Sequence, residues 1–429
     1  MQRTQTFSLA PLADFPLLAS MSDYSYLDSA ATSQKPQQVL DAIQHFYTHD
    51  NANVHRGVHR LSDASTHAWQ QSREVVARFL GADPAEFIVT RNTTEAINGV
   101  AYGWAAAHIK SGDLIVTTQL EHHANLVPWQ EIARKVGANL ELVPLLDTGE
   151  LDMQAYGALL KRKPKLVAFS HVSNAIGTLM PVEWMTKQAH TVGARVLIDG
   201  AQSAPHIPVD FHAIGADFYA FSGHKMLGPM GVGGLLVKRE LLESNEMHPW
   251  LFGGGMISSV SDHDAQFHED PQERFTAGTP DVASLVGLAA AVQYLEKLDM
   301  HAVLRHDQTL VAEALTALEQ IPQVHIVGPT NLLSDSVNHK YYDKKLTSDL
   351  TYPRVGSVTF TYQGVHAHDV AQVLDAEGVA VRSGHHCTMP LHTHCQWQAT
   401  TRASFQVYST REDIQRLASG LRRVAKVFA

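Results

Sequence analysis

Seven short apolar runs recur roughly every 25 residues between Phe87 and Val237, and longer amphipathic stretches separate them. The runs are 87–90 (FIVT), 114–117 (LIVT), 140–143 (LELV), 166–170 (LVAFS), 196–199 (VLID), 218–222 (FYAFS) and 234–237 (GLLV). Stretches such as 94–109 and 182–192 have helical periodicity. Strand and helix in alternation predict an α/β fold, with a mainly parallel sheet of seven strands covered by helices. From about Asp281 the pattern changes to a long helical run, ASLVGLAAAVQYLEKL, then VAEALTALEQI, strand-like VGSVTFTY and a last helix from Arg411. This predicts a smaller C-terminal α+β domain. The polar, irregular stretch 331–354 reads as a surface loop or insertion.

A chain of 429 residues that is 45% hydrophobic can bury a core of this size. The formal net charge is −10 and the basic residues are scattered, so no nucleic-acid partner is expected. No uncharged stretch reaches membrane-spanning length, and the first residues lack an apolar segment followed by a small-residue cleavage site. A cytoplasmic location without a membrane is therefore expected. Cys387 and Cys395 are too few to staple such a chain and are not spaced C-x-x-C, so a cysteine that matters here matters as a thiol.

Ligands of an open parallel sheet bind beyond the carboxyl ends of its strands, so the residues after each run belong together. FIVT is followed by Arg91-Asn92-Thr93-Thr94-Glu95, two hydroxyls at a helix start, which suits a phosphate. LIVT leads to Glu121-His122-His123-Ala124-Asn125, and LVAFS to His171-Val172-Ser173-Asn174. VLID leads to Gly200-Ala201-Gln202, and FYAFS to Gly223-His224-Lys225. Taken singly, Thr93-Thr94 is an ordinary helix cap, His122 and His123 are loop histidines, and Asp199 caps a turn. Taken together, a carboxylate at the end of one apolar strand and an amine at the end of the next each need a partner. Pyridoxal phosphate meets both needs: its ring nitrogen pairs with Asp199, its aldehyde condenses with Lys225, and its phosphate rests on the helix start.

DGAQ (199–202), SGHKMLGPMGVGGLL (222–236), EHHANLVPW (121–129), RFTAGTP (274–280) and RSGHHCTMPL (382–391) resemble the cysteine desulfurases of the class V aminotransferase group, in its SufS/CsdA-like branch. YLDSAATSQKP (26–36) and NANVHRGVHRLS (51–62) match the same branch, and the resemblance covers nearly the whole chain. It implies a fold type I pyridoxal-phosphate-dependent transferase. Residues 1–25 would pack with the small domain, 26–290 would form the large cofactor-binding domain, and 291–429 would form the small domain carrying the reactive cysteine loop. By resemblance, Lys225 is the Schiff-base lysine, Asp199 the partner of the pyridine nitrogen and Gln202 that of the ring oxygen, while His122 stacks on the ring. Thr93, Thr94, Ser222 and His224 hold the phosphate, and Thr279 reaches the phosphate of the neighbouring subunit, which implies a homodimer. Asn174 and Arg402 hold the substrate carboxylate side, Arg382 lies close to the cysteine loop, and His55 and Arg56 stand at the site rim.

A buried cysteine is ordinarily inert packing, but Cys387 has Arg382, Gly384, His385 and His386 beside it. Protonated imidazole or guanidinium there would favour the thiolate. HHC at 385–387 and HTHC at 392–395 suggest zinc, yet the spacing matches no standard structural site and a metal-bound thiol could not attack sulfur; no metal is expected. The resemblance implies conversion of L-cysteine, or L-selenocysteine, with Lys225 as base and His122 placed for proton transfer at the substrate sulfur. Cys387 becomes a persulfide, L-alanine leaves, and the sulfur passes to a SufE- or SufU-like acceptor for iron–sulfur cluster assembly. The alternatives are a selenocysteine lyase, another class V carbon–sulfur lyase or aminotransferase, and a non-catalytic scaffold. Two departures from the family pattern stand out: a long 333–354 segment, and Thr401 where a cysteine often precedes the arginine.

Overall fold

The computed structural model describes residues 8–21, 23–55, 57–146, 149–333 and 352–428. Its larger sheet holds β1 (Phe87–Thr90), β2 (Leu114–Thr118), β3 (Asn139–Val143), β4 (Leu166–Ser170), β5 (Arg195–Asp199), β6 (Phe218–Ser222) and β7 (Gly233–Val237). These are the seven apolar runs, with ends displaced by at most one residue. The spatial order is β1-β7-β6-β5-β4-β2-β3. Every residue of β2, β4, β6 and β7 is buried, as strands covered on both faces require, which is why they read as unbroken apolar runs rather than alternating ones.

β7 is antiparallel to both of its neighbours, and all other pairs are parallel. Only residues 223–232 join β6 to β7, too few for a helical crossover, so the chain has to turn straight back. That turn carries Lys225. Gly233 permits it, because a Cβ there would lie 2.5 Å from the Phe221 carbonyl oxygen.

A second sheet, all antiparallel, contains β8 (Val324–Val327), β9 (Ser357–Tyr362), β10 (Arg382–Gly384) and β11 (Thr400–Ser404) in the order β8-β9-β11-β10. Helices Met300–Glu319 and Ala367–Ala376 pack on it, and helix Arg411–Val427 packs on those two. The preceding helix, Val282–Leu298, is apolar over most of its surface and packs instead on helices Gln37–His45 and Arg60–Phe79. Position 290 therefore falls inside a continuous helix. The chain breaks at Asp299 (φ +65°), whose carboxylate accepts the His301 N–H and caps the next helix.

Near the start of the chain, Ser25–Tyr26 pairs in parallel with Val379–Ala380, and the Ala10 N–H donates to the Val407 carbonyl. Of the expected 331–354 loop, 334–351 lie outside the described residues, and the far end is not at the surface. Tyr352 and Arg354 are buried, and the Arg354 guanidinium donates to the carbonyls of Val327, Pro329 and Ser357. An arginine satisfied by carbonyls alone explains how a polar residue of an irregular stretch ends in the core. Among the described residues, no helix is long and apolar enough to cross a membrane.

Candidate active site

The exits of β1, β2, β4, β5 and β6 open on one cavity of about 600 Å³, and the second sheet closes its far side. Twelve of the residues singled out from sequence line it: Thr93, Thr94, His122, Asn174, Asp199 and Gln202, together with Ser222, His224, Lys225, Arg382, Cys387 and Arg402.

At one end Asn92 caps helix Thr93–Val100 by accepting the Glu95 N–H. Thr93 is buried, and its N–H and hydroxyl both meet Ser222 Oγ, at 2.8 and 2.6 Å. These two residues therefore hold each other, and the exposed Thr94 and half-buried His224 are left for an anion at the helix start. Burial, with Lys225 and Lys35 nearby, pushes the His224 imidazole down to about 4.

In the middle of the cavity stand an acid and an amine. Asp199 is buried at the end of β5, where Oδ1 accepts the Ala201 N–H at 2.9 Å. Burial raises its pKa, while the Ala201 N–H and Lys225 oppose the rise. Among the described residues no ion pair closes on this carboxylate. Burial likewise brings the Lys225 amine down to about 8, against the pull of Asp199. A buried acid lacking a cation, a neutralisable amine on the adjacent strand's exit and a free helix start together fit pyridoxal phosphate. The Gln202 amide donates to the Ala30 carbonyl at 2.8 Å. His122 is pushed down to about 3 by burial and then by Lys225. Its Nδ1 accepts the Ala124 N–H, so the neutral ring carries its proton on Nε2.

At the other end Cys387 is exposed, in the turn between β10 and helix Met389–His394. His386 (φ +51°) and Cys387 (φ +57°) are consecutive left-handed residues, each costing roughly 1 kcal/mol over the right-handed form. The turn is held from outside. Asn174 Nδ2 donates to the His386 carbonyl at 2.7 Å, the His123 N–H to the Cys387 carbonyl at 2.8 Å, and the Met389 N–H to His123 Nε2 at 3.1 Å. Arg402, buried on β11, donates to the Asn174 carbonyl at 2.6 Å and to Asp28 at 3.2 Å. Arg382 stands 3.8 Å from the same Asp28 carboxylate. One sequence expectation fails here. Burial pushes His386 down to about 2, so this imidazole is neutral and lends Cys387 no positive charge. Lys225 and Arg402 are cations that do interact with Cys387.

Three predicted residues are not among those lining the cavity. Thr279 is exposed elsewhere on the chain, His55 is exposed with its N–H donating to Thr66 Oγ1, and Arg56 lies outside the described residues. Among the described residues no three His, Cys, Asp or Glu side chains converge as a metal site. The sequence reading gave no role to Asp28, although it stood inside the quoted YLDSAATSQKP motif. It also passed over Glu121, fully buried beside His122, whose carboxylate accepts from Thr118, Asn125 and the Ser170 N–H and hydroxyl. An acidic residue next to an apolar strand was the available signal.

The class V aminotransferase family profile matches residues 25–417. A probable cysteine desulfurase of Mycobacterium leprae is 44% identical, with 99% of each chain covered. The apo structure of a cysteine desulfurase from Thermococcus onnurineus superposes with a TM-score of 0.88 at 38% identity, covering 99% of this chain and 100% of that one. The Escherichia coli cysteine desulfurase CsdA, solved with an S-sulfonic acid, gives a TM-score of 0.85 at 35% identity over 97% of both chains. With Lys225, Asp199 and Cys387 brought to one cavity, these likenesses identify the chain as a member of the class V aminotransferase family, in its CsdA-like cysteine desulfurase branch.

Proposed function

We propose that this chain converts L-cysteine to L-alanine and takes the substrate sulfur onto Cys387 as a persulfide. The observation that carries this reading is the presence of both Lys225 and Cys387 in the lining of one cavity. Pyridoxal phosphate, held by Lys225, Asp199, Gln202 and the Thr94–His224 end, supplies the electron sink that lets the substrate lose its α-proton and its sulfur.

The chain's own residues do the rest. Lys225, with its amine near neutrality, takes and returns the proton at the substrate α-carbon. Asp199 would pair with the ring nitrogen, and His122, with its proton on Nε2, would stack on the ring and could deliver that proton toward the substrate sulfur. Arg402 and Asn174, which line the cavity, would hold the substrate carboxylate, with Arg382 beside the cysteine turn. Cys387, which lines the cavity with Lys225 and Arg402, attacks the sulfur as the nucleophile. The carbon–sulfur bond breaks, a sulfur–sulfur bond forms, and the carbon skeleton leaves protonated.

The exposure of Cys387 supports onward transfer to a SufE- or SufU-like acceptor protein for iron–sulfur cluster assembly. The exposed Thr279 supports a homodimer in which it reaches the partner's phosphate end. Dependence on a reduced thiol supports a cytoplasmic location. The test is to purify the protein, record its visible spectrum and measure alanine formed from L-cysteine with and without the acceptor. Cys387→Ala should keep the cofactor absorbance and lose persulfide formation; undiminished desulfuration in that variant would instead favour a lyase that releases free sulfide or selenide.

A further inference from the structure

The clustered histidines of HHC and HTHC, which first suggested a metal, meet through a hydroxyl. Thr400 Oγ1 lies 2.9 Å from His386 Nε2 and 3.1 Å from His392 Nε2, and all three residues are buried. His392 Nδ1 is 3.1 Å from the Thr388 carbonyl, and a carbonyl only accepts, so that nitrogen carries the ring proton. A neutral His392 then offers Nε2 as an acceptor at 3.1 Å, and the Thr400 hydroxyl donates to it in preference to the Gly384 carbonyl, which at 3.4 Å is long for an O–H···O bond. The hydroxyl has one proton, so toward His386 it can only accept. His386 is thereby fixed as the Nε2–H tautomer, with Nδ1 bare and, among the described residues, without a partner. Burial lowers the proton affinity of both rings, in keeping with both being neutral.

The proton order runs one way, from His386 through Thr400 and His392 to the Thr388 carbonyl, and it spans the turn that presents Cys387. Asn174 and His123 secure the backbone of that turn, and Thr400 is the hydrogen-bond partner of its buried imidazole. Thr400 opens β11, two residues before Arg402, so both project from the same face of one strand. We propose that Thr400 is a positioning residue for Cys387, fixing the tautomer and orientation of His386 and so holding the left-handed His386–Cys387 pair toward the cavity. This rests on Cys387 being the sulfur acceptor.

The test compares wild-type holoenzyme with Thr400→Val and Thr400→Ser. The ring ¹⁵N shifts of His386 and His392 are read from histidine-labelled protein, and persulfide formation at Cys387 is followed through one turnover by peptide mass. Wild type and the serine variant should show a protonated Nε2 and bare Nδ1 on His386. The valine variant should lose that pattern, keep its cofactor absorbance, and form persulfide about tenfold more slowly, with serine restoring the rate. Thr400→Ala replaces valine in the comparison should the valine protein not fold. An Nδ1–H tautomer in wild type, or an undiminished rate without the hydroxyl, overturns the proposal. Wild-type protein that shows the tautomer pattern but forms no persulfide overturns the reaction assigned to Cys387, and the positioning role with it.

Discussion

His123 holds the turn of Cys387 at two points: its N–H donates to the Cys387 carbonyl at 2.8 Å, and its Nε2 accepts from the Met389 N–H, two residues further on, at 3.1 Å. The loop after β2 thus holds the turn of Cys387, while His122, the neighbour of His123, lines the cavity.

His123→Ala removes the second of these bonds and keeps the first. Losing one hydrogen bond is worth about 1 kcal/mol, so persulfide formation should slow roughly fivefold. Cofactor absorbance should stay unchanged, because no bond to Lys225, Asp199 or His224 is touched. Rapid-quench measurement of the first turnover checks this.

Asp28→Asn leaves Arg402 buried without its counter-charge, although its bond to the Asn174 carbonyl survives. Asp28 is itself partly exposed, so the loss should be below that of a fully buried pair, about 2 kcal/mol. A lower guanidinium midpoint with an unchanged slope is the expected result.

Cofactor loading should follow the Lys225 amine, which lies at about 8 rather than the ordinary 10.5. Only the neutral amine condenses, so the loading rate of apoenzyme should rise about tenfold per pH unit up to pH 8 and then level off. A rate that keeps climbing to pH 10 would falsify the burial argument. Stopped-flow absorbance across pH 6–10 distinguishes the two.

Acid should weaken the fold through two buried imidazoles. His171 lies at about 3 and His386 at about 2, against 6.5 for an exposed ring. Below pH 6.5 the unfolded chain takes up protons at these positions that the native chain refuses, so stability falls as pH falls. Glu121, raised to about 7, acts oppositely between pH 4.5 and 7, where the native chain holds a proton that the unfolded chain has lost. Two groups against one leave a net loss of about 1.4 kcal/mol per pH unit between pH 6.5 and 4.5 from these three sites. Thermal melts of the holoenzyme from pH 7 to 5 should therefore move downward, and Glu121→Gln should steepen the trend.

The sheet was legible because strands buried on both faces cannot hide their apolar runs, as FYAFS before Lys225 illustrates. The direction of β7 was less visible, since hydrogen-bond polarity leaves no mark on composition; the short 223–232 connection was the available clue. Asp199, Lys225 and His122 were readable as polar residues at strand exits. Asp28 was not, because its partner Arg402 is 374 positions away and nothing local signals the pairing. Thr400 was hidden behind its neighbour Thr401, which drew notice as a departure, while the histidines it orders looked like metal ligands. The neutrality of His386 follows from burial in a tertiary cavity, which a polar-looking HHC cannot reveal.

The Asp28–Arg402 pair also has a consequence for how the molecule is made. At ribosomal speeds of about 5–20 residues per second, Asp28 waits some tens of seconds before its guanidinium partner is even synthesised. During that interval the chain can assemble the lysine side of its site, but the thiol and arginine side does not yet exist. Of its two chemical functions, the one that grips a cofactor is therefore available to the nascent chain before the one that handles reactive sulfur.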